Sequence, residues 1–174
     1  MLHLRVVVKR GGRLPHRRRM LRKSETKLLT QELAGFKDAL NFDEQKTRIE
    51  VVEFSDEELF LFDGKPLLFR AESQLIPTLF FERYIASAPR IIVDMGAVPH
   101  VCNGADVMAP GVRAVTGRFS NAEFVVVQDE KHGKPIAVGR ALFDSEGIGT
   151  VVRGAVVKTL HYVGDQVYNI CKSF

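Results

Sequence analysis

The sequence predicts an α+β fold in two parts, a small α+β unit followed by a compact barrel-like unit of short β-strands with one small helix. Three observations carry this prediction. An apolar stripe at helical spacing opens the first part, and runs rich in β-branched and aromatic residues follow it. From Ile91 onward the texture changes to short strand-like runs punctuated by glycine. A length of 174 residues suits one large domain or two small ones, and a hydrophobic content of 45% is enough for a core.

Within "KSETKLLTQELAGFKDAL", Leu29, Leu33, Phe36 and Leu40 repeat at steps of four, three and four, which gives one apolar helix face. Ser24 is the expected N-cap, with Glu25 in the first turn. "RIEVVEF" and "ELFLFD" read as strands, "DGKP" (63–66) as a tight turn, and "LLFR" as the returning partner. Pro77 and Thr78 are expected to open a second helix, "TLFFERYIASA", stopped by Pro89. Its Leu79, Phe80, Phe81, Tyr84 and Ile85 suit an interface between the two units better than the alternative of a partner surface, and Phe60, Phe62 and Phe69 suit packing.

In the second unit "RIIVDM" reads as a strand. A helical turn near "AVPHVCN" is ended by Gly104 at C′, "DVM" is extended, and Pro110–Gly111 is a turn. "EFVVVQ", "IAVGRALF", "AVVKTLHYV" and "VYNI" are expected strands, with "DEKHGK" and "GDQ" as hairpin turns.

Charge is unevenly placed. Residues 1–19 hold Arg5, Lys9, Arg10, Arg13, Arg17, Arg18 and Arg19 without an acid, so the remainder of this net +4 chain is net −3. That arm reads as disordered and able to hold phosphates nonspecifically; equally, translation could begin at Met20. No apolar run approaches the length of a membrane span, and "LRVVVKR" is too short and basic for a secretory core. Cys102 and Cys171 read as reduced, buried thiols of a cytoplasmic protein. The five histidines and two cysteines make no zinc-type spacing, and nothing else calls for a metal or cofactor. No nucleophile-elbow or phosphate-loop motif is present, and Asp94 and Asp106 read as loop-fixing carboxylates, so an enzyme is not expected.

"VDMGAVPHVCNGADVMAPGV", then "AVGRALF" and "GAVVKTLHYVGDQVYNI", together resemble the PUA domain, an RNA-binding module. "LLFR" followed by "IPTLFFERY" resembles the pre-PUA domain of the malignant-T-cell-amplified-sequence proteins, their archaeal relatives and ligatin. The resemblance implies a pre-PUA domain over residues 20–90 and a PUA pseudo-barrel over 91–174, following the basic arm of 1–19. It implies a non-catalytic RNA-binding protein of the translation machinery, binding tRNA at the acceptor end or small-subunit rRNA on the ribosome, in the cytoplasm and without a membrane. A translation-factor partner protein is also implied by the eukaryotic relatives.

The same resemblance implies RNA contacts for Gly96, Ala97, His100, Asn103 and Gly104, with Ala105 and Asp106 close by. Physically, glycines 96 and 104 bracket a helical turn whose first N–H groups could receive a phosphate; alternatively they and Gly111 only make turns. Arg113 and Arg118 could reach phosphates or be plain surface. Lys158 and His161 lie on the closing strand, where His161 is as readily a core residue as a contact, because it or Tyr162 must face inward. Two other functions stand beside translation: an accessory RNA-binding subunit of a tRNA- or rRNA-modifying enzyme, and a protein–protein adaptor.

Overall fold

The computed structural model describes residues 17–174, and within them the chain forms two sheets. The first is an antiparallel meander of β1 (Arg17–Met20), β2 (Ile49–Phe54), β3 (Glu57–Phe62), β4 (Lys65–Ala71) and β5 (Gln74–Pro77) in sequence order. Helix α1 (Lys23–Glu32), a 3-10 turn at Leu33–Phe36 and α2 (Lys37–Leu40) cross one face, and α3 (Glu82–Ser87) leads out. The expected stripe holds: Leu29, Leu33, Phe36 and Leu40 are all buried, although the helix tightens to 3-10 midway. The helix starts at Lys23, one residue before the expected cap, where the Glu25 carboxylate accepts the Arg22 N–H at 2.8 Å.

This sheet is buried on both faces. Val51, Phe60, Leu68 and Leu75 pack toward the helices. Their neighbours Val52, Leu59, Phe69 and Ile76 pack the other way. Alternation of side chains along a strand therefore meets core on both sides, which explains the unbroken apolar runs in the sequence. Phe60, Phe62 and Phe69 serve as packing, as expected.

Two expectations in this half need correction. Pro77 and Thr78 do not open a helix: Pro77 closes β5, and the buried Thr78 hydroxyl donates to the Pro66 carbonyl at 2.6 Å, so α3 starts at Glu82. β5 itself is unforeseen, because the turn before it uses Glu72 and Ser73 at φ 49° and 63°, without the glycine that marks such turns. The basic arm also needs a shorter boundary. Arg17–Arg19 are strand, paired to β2, with Arg18 on Glu50 at 2.7 Å and Arg19 on Glu25 and Glu53 at 2.8 and 2.9 Å. The expected disorder and the alternative start concern residues that otherwise lie outside the described ones.

The second sheet contains β6 (Arg90–Val93), β7 (Val107–Met108), β8 (Val112–Thr116), β9 (Phe124–Asp129), β10 (Pro135–Ala141) and β11 (Ala155–Tyr162). Their spatial order is β7-β11-β10-β9-β6-β8, antiparallel throughout except for the parallel pair β6–β9. A four-residue helix, α4 (Val98–Val101), sits between β6 and β7, and α5 (Gln166–Cys171) follows β11. Helix α5 replaces the strand expected at "VYNI". Asp165 caps it by accepting the Tyr168 N–H at 2.6 Å, which makes "GDQ" a helix start, not a hairpin.

The two halves share one apolar cluster. Val52, Leu59 and Phe69 of the first sheet meet Ile85 of α3, Val126 and Val138 of the second sheet, and Val167 and Ile170 of α5. The apolar α3 segment thus serves the interface between the units, as its sequence suggested. Among the described residues no helix is long and apolar enough to cross a membrane.

At the rim of this junction the β2–β3 turn touches the start of α5, where Gln166 Nε2 donates to Ser55 Oγ at 3.1 Å. Burial, and then the Asp165 and Asp56 charges, push the Glu57 carboxyl up to about 6. An acid raised in the folded state binds its proton more tightly there than in the unfolded chain. Stability therefore rises as pH falls from about 6 toward the ordinary value of 4.5. Glu57→Gln is expected to stabilise the protein at pH 7.5 by about 1 kcal/mol, the shift being discounted for partial exposure, and to have little effect at pH 4.5. Urea midpoints at the two pH values check this; equal effects at both would refute it.

Candidate nucleic-acid interface

Strands β7 and β8 stand at opposite ends of the six-strand order, yet only Ala109–Gly111 separate them in the chain. A sheet whose first and last strands are joined by so short a turn must curl round, which makes the half-barrel. The two end strands do not pair with each other, so a seam is left between them. Helix α4 packs over the barrel core through the buried Val101 and flanks this seam.

The seam is a groove of about 500 Å³. One wall is the loop after β6 and α4, with Asp94, Gly96, Ala97 and His100; the other is Ala105–Met108 with Pro110 and Gly111. Sequence dictates the narrow approach of the walls. A side chain on Gly111 would place its Cβ 3.0 Å from that of Ala97.

Both groove carboxylates are engaged in holding the walls. Asp94 Oδ1 accepts the Ala97 N–H and Oδ2 accepts from Arg113 Nη2, each at 2.8 Å. Arg113 Nε also lies 3.8 Å from Glu130, whose carboxylate accepts the Met95 N–H at 3.2 Å. Asp106 accepts the Thr159 N–H at 2.9 Å and lies 3.4 Å from Lys158 Nζ. The loop-fixing reading of the two aspartates is what the geometry gives.

At the start of α4 this geometry reduces the donors open to an anion. The helix has four residues, and Pro99 in its first turn carries no N–H. The Ala97 N–H beside it is already taken by Asp94.

Of the residues expected to contact RNA, Gly96, Ala97, His100, Ala105 and Asp106 come together as groove lining. Arg113 and Lys158 border it through their ion pairs with Asp94 and Asp106. Asn103 is exposed just past α4, outside the groove. Gly104 turns the chain at φ +85°, and a Cβ there would come within 3.0 Å of the Tyr162 ring, so a turn and a close approach account for it. Arg118 is at the wrong end: β8 pairs Val112 with Val93 beside the groove and Thr116 with Arg90, about 13 Å away along the strand. His161 is fully buried, with its ring edge-on to Phe69 and its Nδ1 2.7 Å from the Asp165 carboxylate. It belongs to the core, and no RNA contact is available to it.

Met108 and Pro110 line the groove without having been singled out. Period-two alternation held the signal for Met108: Val107 is buried, so its neighbour faces out, half exposed. Met95, between the lining residues Asp94 and Gly96, is 39% exposed. The groove thus offers apolar and backbone surface between two neutralised carboxylates, which suits the uncharged parts of a ligand. Its volume falls in the range of small-ligand sites, about 300–1,000 Å³.

Comparison with known proteins follows the same division of the chain. Residues 89–163 match the PUA domain, and residues 17–84 match a domain of unknown function, DUF1947. An uncharacterized protein of Methanocaldococcus jannaschii is 36% identical over 157 residues, covering 88% of this chain and 96% of that protein. Translation machinery-associated protein 20 of Eremothecium gossypii is 32% identical, covering 72% and 74% of the two chains. A PUA-domain structure from Aeropyrum pernix K1, solved as a tartrate complex, superposes with a TM-score of 0.76 at 26% identity, covering 91% of this chain and 92% of that one.

Proposed function

The chain belongs to the family of PUA proteins with a preceding pre-PUA domain, the archaeal and malignant-T-cell-amplified-sequence type, and from that premise we propose that it is a non-catalytic RNA-binding protein of the translation machinery. Its target in this reading is the acceptor end of tRNA or small-subunit rRNA on the ribosome, held through the PUA half, and a partner protein in translation is part of the same reading. The observation that carries it is the open seam of the half-barrel, which brings Gly96, Ala97, His100, Ala105 and Asp106 to one groove inside the matched PUA segment. Translation-associated relatives that span most of the chain support the setting.

The groove chemistry favours an unpaired nucleotide. Bases and riboses can meet the Met108, Pro110 and Ala97 surfaces and the groove backbone. Phosphates are poorly served by a site whose carboxylates are already matched to Arg113 and Lys158. The net −3 charge outside residues 1–19 fits local attachment better than a general grip on polyanions.

Equilibrium binding to tRNA at two salt concentrations tests this, with an intact acceptor end against one lacking its unpaired terminal nucleotides. Affinity should fall about tenfold or more on trimming. Equal affinity for both RNAs would remove the acceptor end as the ligand and turn attention to ribosomal RNA.

A further inference from the structure

We propose that the β9–β10 hairpin, residues 130–134, is the phosphate-holding element beside the groove, with Lys131 and Lys134 receiving the backbone of the RNA whose unpaired end lies in the seam. The proposal deepens the RNA-binding reading above and rests on it.

Topology places the hairpin there. Strands β6 and β9 run parallel, with Val93 opposite Asp129, so both deliver the chain to the same end of the half-barrel. From that end β6 continues into the groove wall at Asp94–Ala97, and β9 continues into the hairpin. The two exits are tied together: Glu130 N–H donates to the Val93 carbonyl at 3.0 Å, and its carboxylate accepts the Met95 N–H and faces Arg113.

The hairpin is also held in shape from within. Asp129 is buried, and its carboxylate accepts the backbone N–H groups of His132 and, at 3.0 Å, Lys134. Its own N–H closes the turn on the Lys134 carbonyl at 3.1 Å. The His132 N–H, then the Lys134 N–H and the neighbouring charge, hold this carboxyl below the usual aspartate range despite its burial. Side chains leaving such a turn start from a fixed base, which limits the ordering needed when they bind.

Charge decides what the turn can hold. Arg113 is matched by Asp94 and Glu130, and Lys158 by Asp106, so the groove's own cations are engaged. Lys131 and Lys134 are exposed and make no ion pair among the described residues. Glu130, the one acid of the turn, points back to Met95 and Arg113. Two ammonium groups outside any ion pair, beside an apolar groove whose own cations are engaged, divide the work: uncharged nucleotide parts inside, phosphates outside.

The test compares full-length protein with Lys131→Ala/Lys134→Ala and with Lys37→Ala/Lys46→Ala, which removes the same charge from the first unit. Binding to tRNA with an intact acceptor end is measured across 0.05–0.3 M potassium chloride, about a sixfold range. Loss of two phosphate contacts should flatten the slope of log K against log salt by about 1.4 and weaken binding about 25-fold near 0.1 M salt. Folding should be retained, because Asp129 accepts from backbone N–H groups that alanine keeps. Three outcomes overturn the proposal. An unchanged slope in the hairpin variant removes the hairpin and leaves the groove reading standing. An equal effect in the Lys37/Lys46 variant reduces the hairpin to bulk charge. No tRNA binding by the unsubstituted protein removes the hairpin proposal together with the acceptor-end reading, and leaves ribosomal RNA as the target for the groove.

Discussion

Asp165→Ala is expected to destabilise the protein by about 3 kcal/mol. The residue links β11 to α5 through three hydrogen bonds. Its carboxylate accepts the Tyr168 N–H at 2.6 Å, the Tyr162 N–H at 2.9 Å, and the Nδ1 hydrogen of His161 at 2.7 Å. Loss of the helix cap costs about 1 kcal/mol. Leaving the fully buried His161 nitrogen without a partner costs about 1–3 kcal/mol more. His161 Nε2 already has no partner among the described residues, so the ring has nothing else to turn to. Asp165→Asn keeps an acceptor and should cost about half as much. Urea unfolding with an unchanged slope measures both variants. A cost under about 1 kcal/mol for the alanine variant would mean that α5 docks through its apolar face alone.

Ala105→Glu is expected to lower RNA affinity at least tenfold while stability stays within about 0.5 kcal/mol. Ala105 is exposed and lines the groove, so a longer side chain meets solvent and ligand and leaves the core untouched. The added carboxylate stands next to Asp106, which Lys158 already balances, and leaves the groove net negative toward an approaching polyanion. Ala105→Gln separates size from charge: it should lose less than the glutamate variant, and the difference should shrink at high salt. Unaltered RNA binding by Ala105→Glu would place the RNA elsewhere on the protein.

Much of the fold was legible because local and tertiary preferences agree. The Leu29–Leu40 stripe, the Asp63–Gly64 turn and the β-branched strands of the second sheet all follow the patterns their residues favour. The failures are equally local. Val167, Tyr168 and Ile170 favour strands, and the Asp165 cap that overrides them is one side chain whose partners come from β11 and from the helix itself. At the site, glycine and alanine positions of the groove could be read, since close approach requires small residues. The separation of Arg118 from the groove could not, because it depends on which end of β8 meets the loop, and pairing register sets that. The hairpin lysines escaped notice for a similar reason. Only the parallel β6–β9 pairing brings them beside residues so distant in the chain.

That parallel pair has a kinetic consequence. Strands joined in parallel need a crossover connection, and here the crossover from β6 to β9 contains the groove loop, α4, β7 and β8. Nearly all of the groove is therefore strung between two anchor strands that must find each other across a long loop. From β2 to β5 the first sheet is a meander of neighbours, whose contacts close over short stretches of chain. Refolding should recover the β2–β5 meander early and the crossover late, so ligand capture returns only after these long-range closures. The ability to hold RNA is then a property of the fully annealed chain, and a partly folded protein carries most of its strands without a working groove.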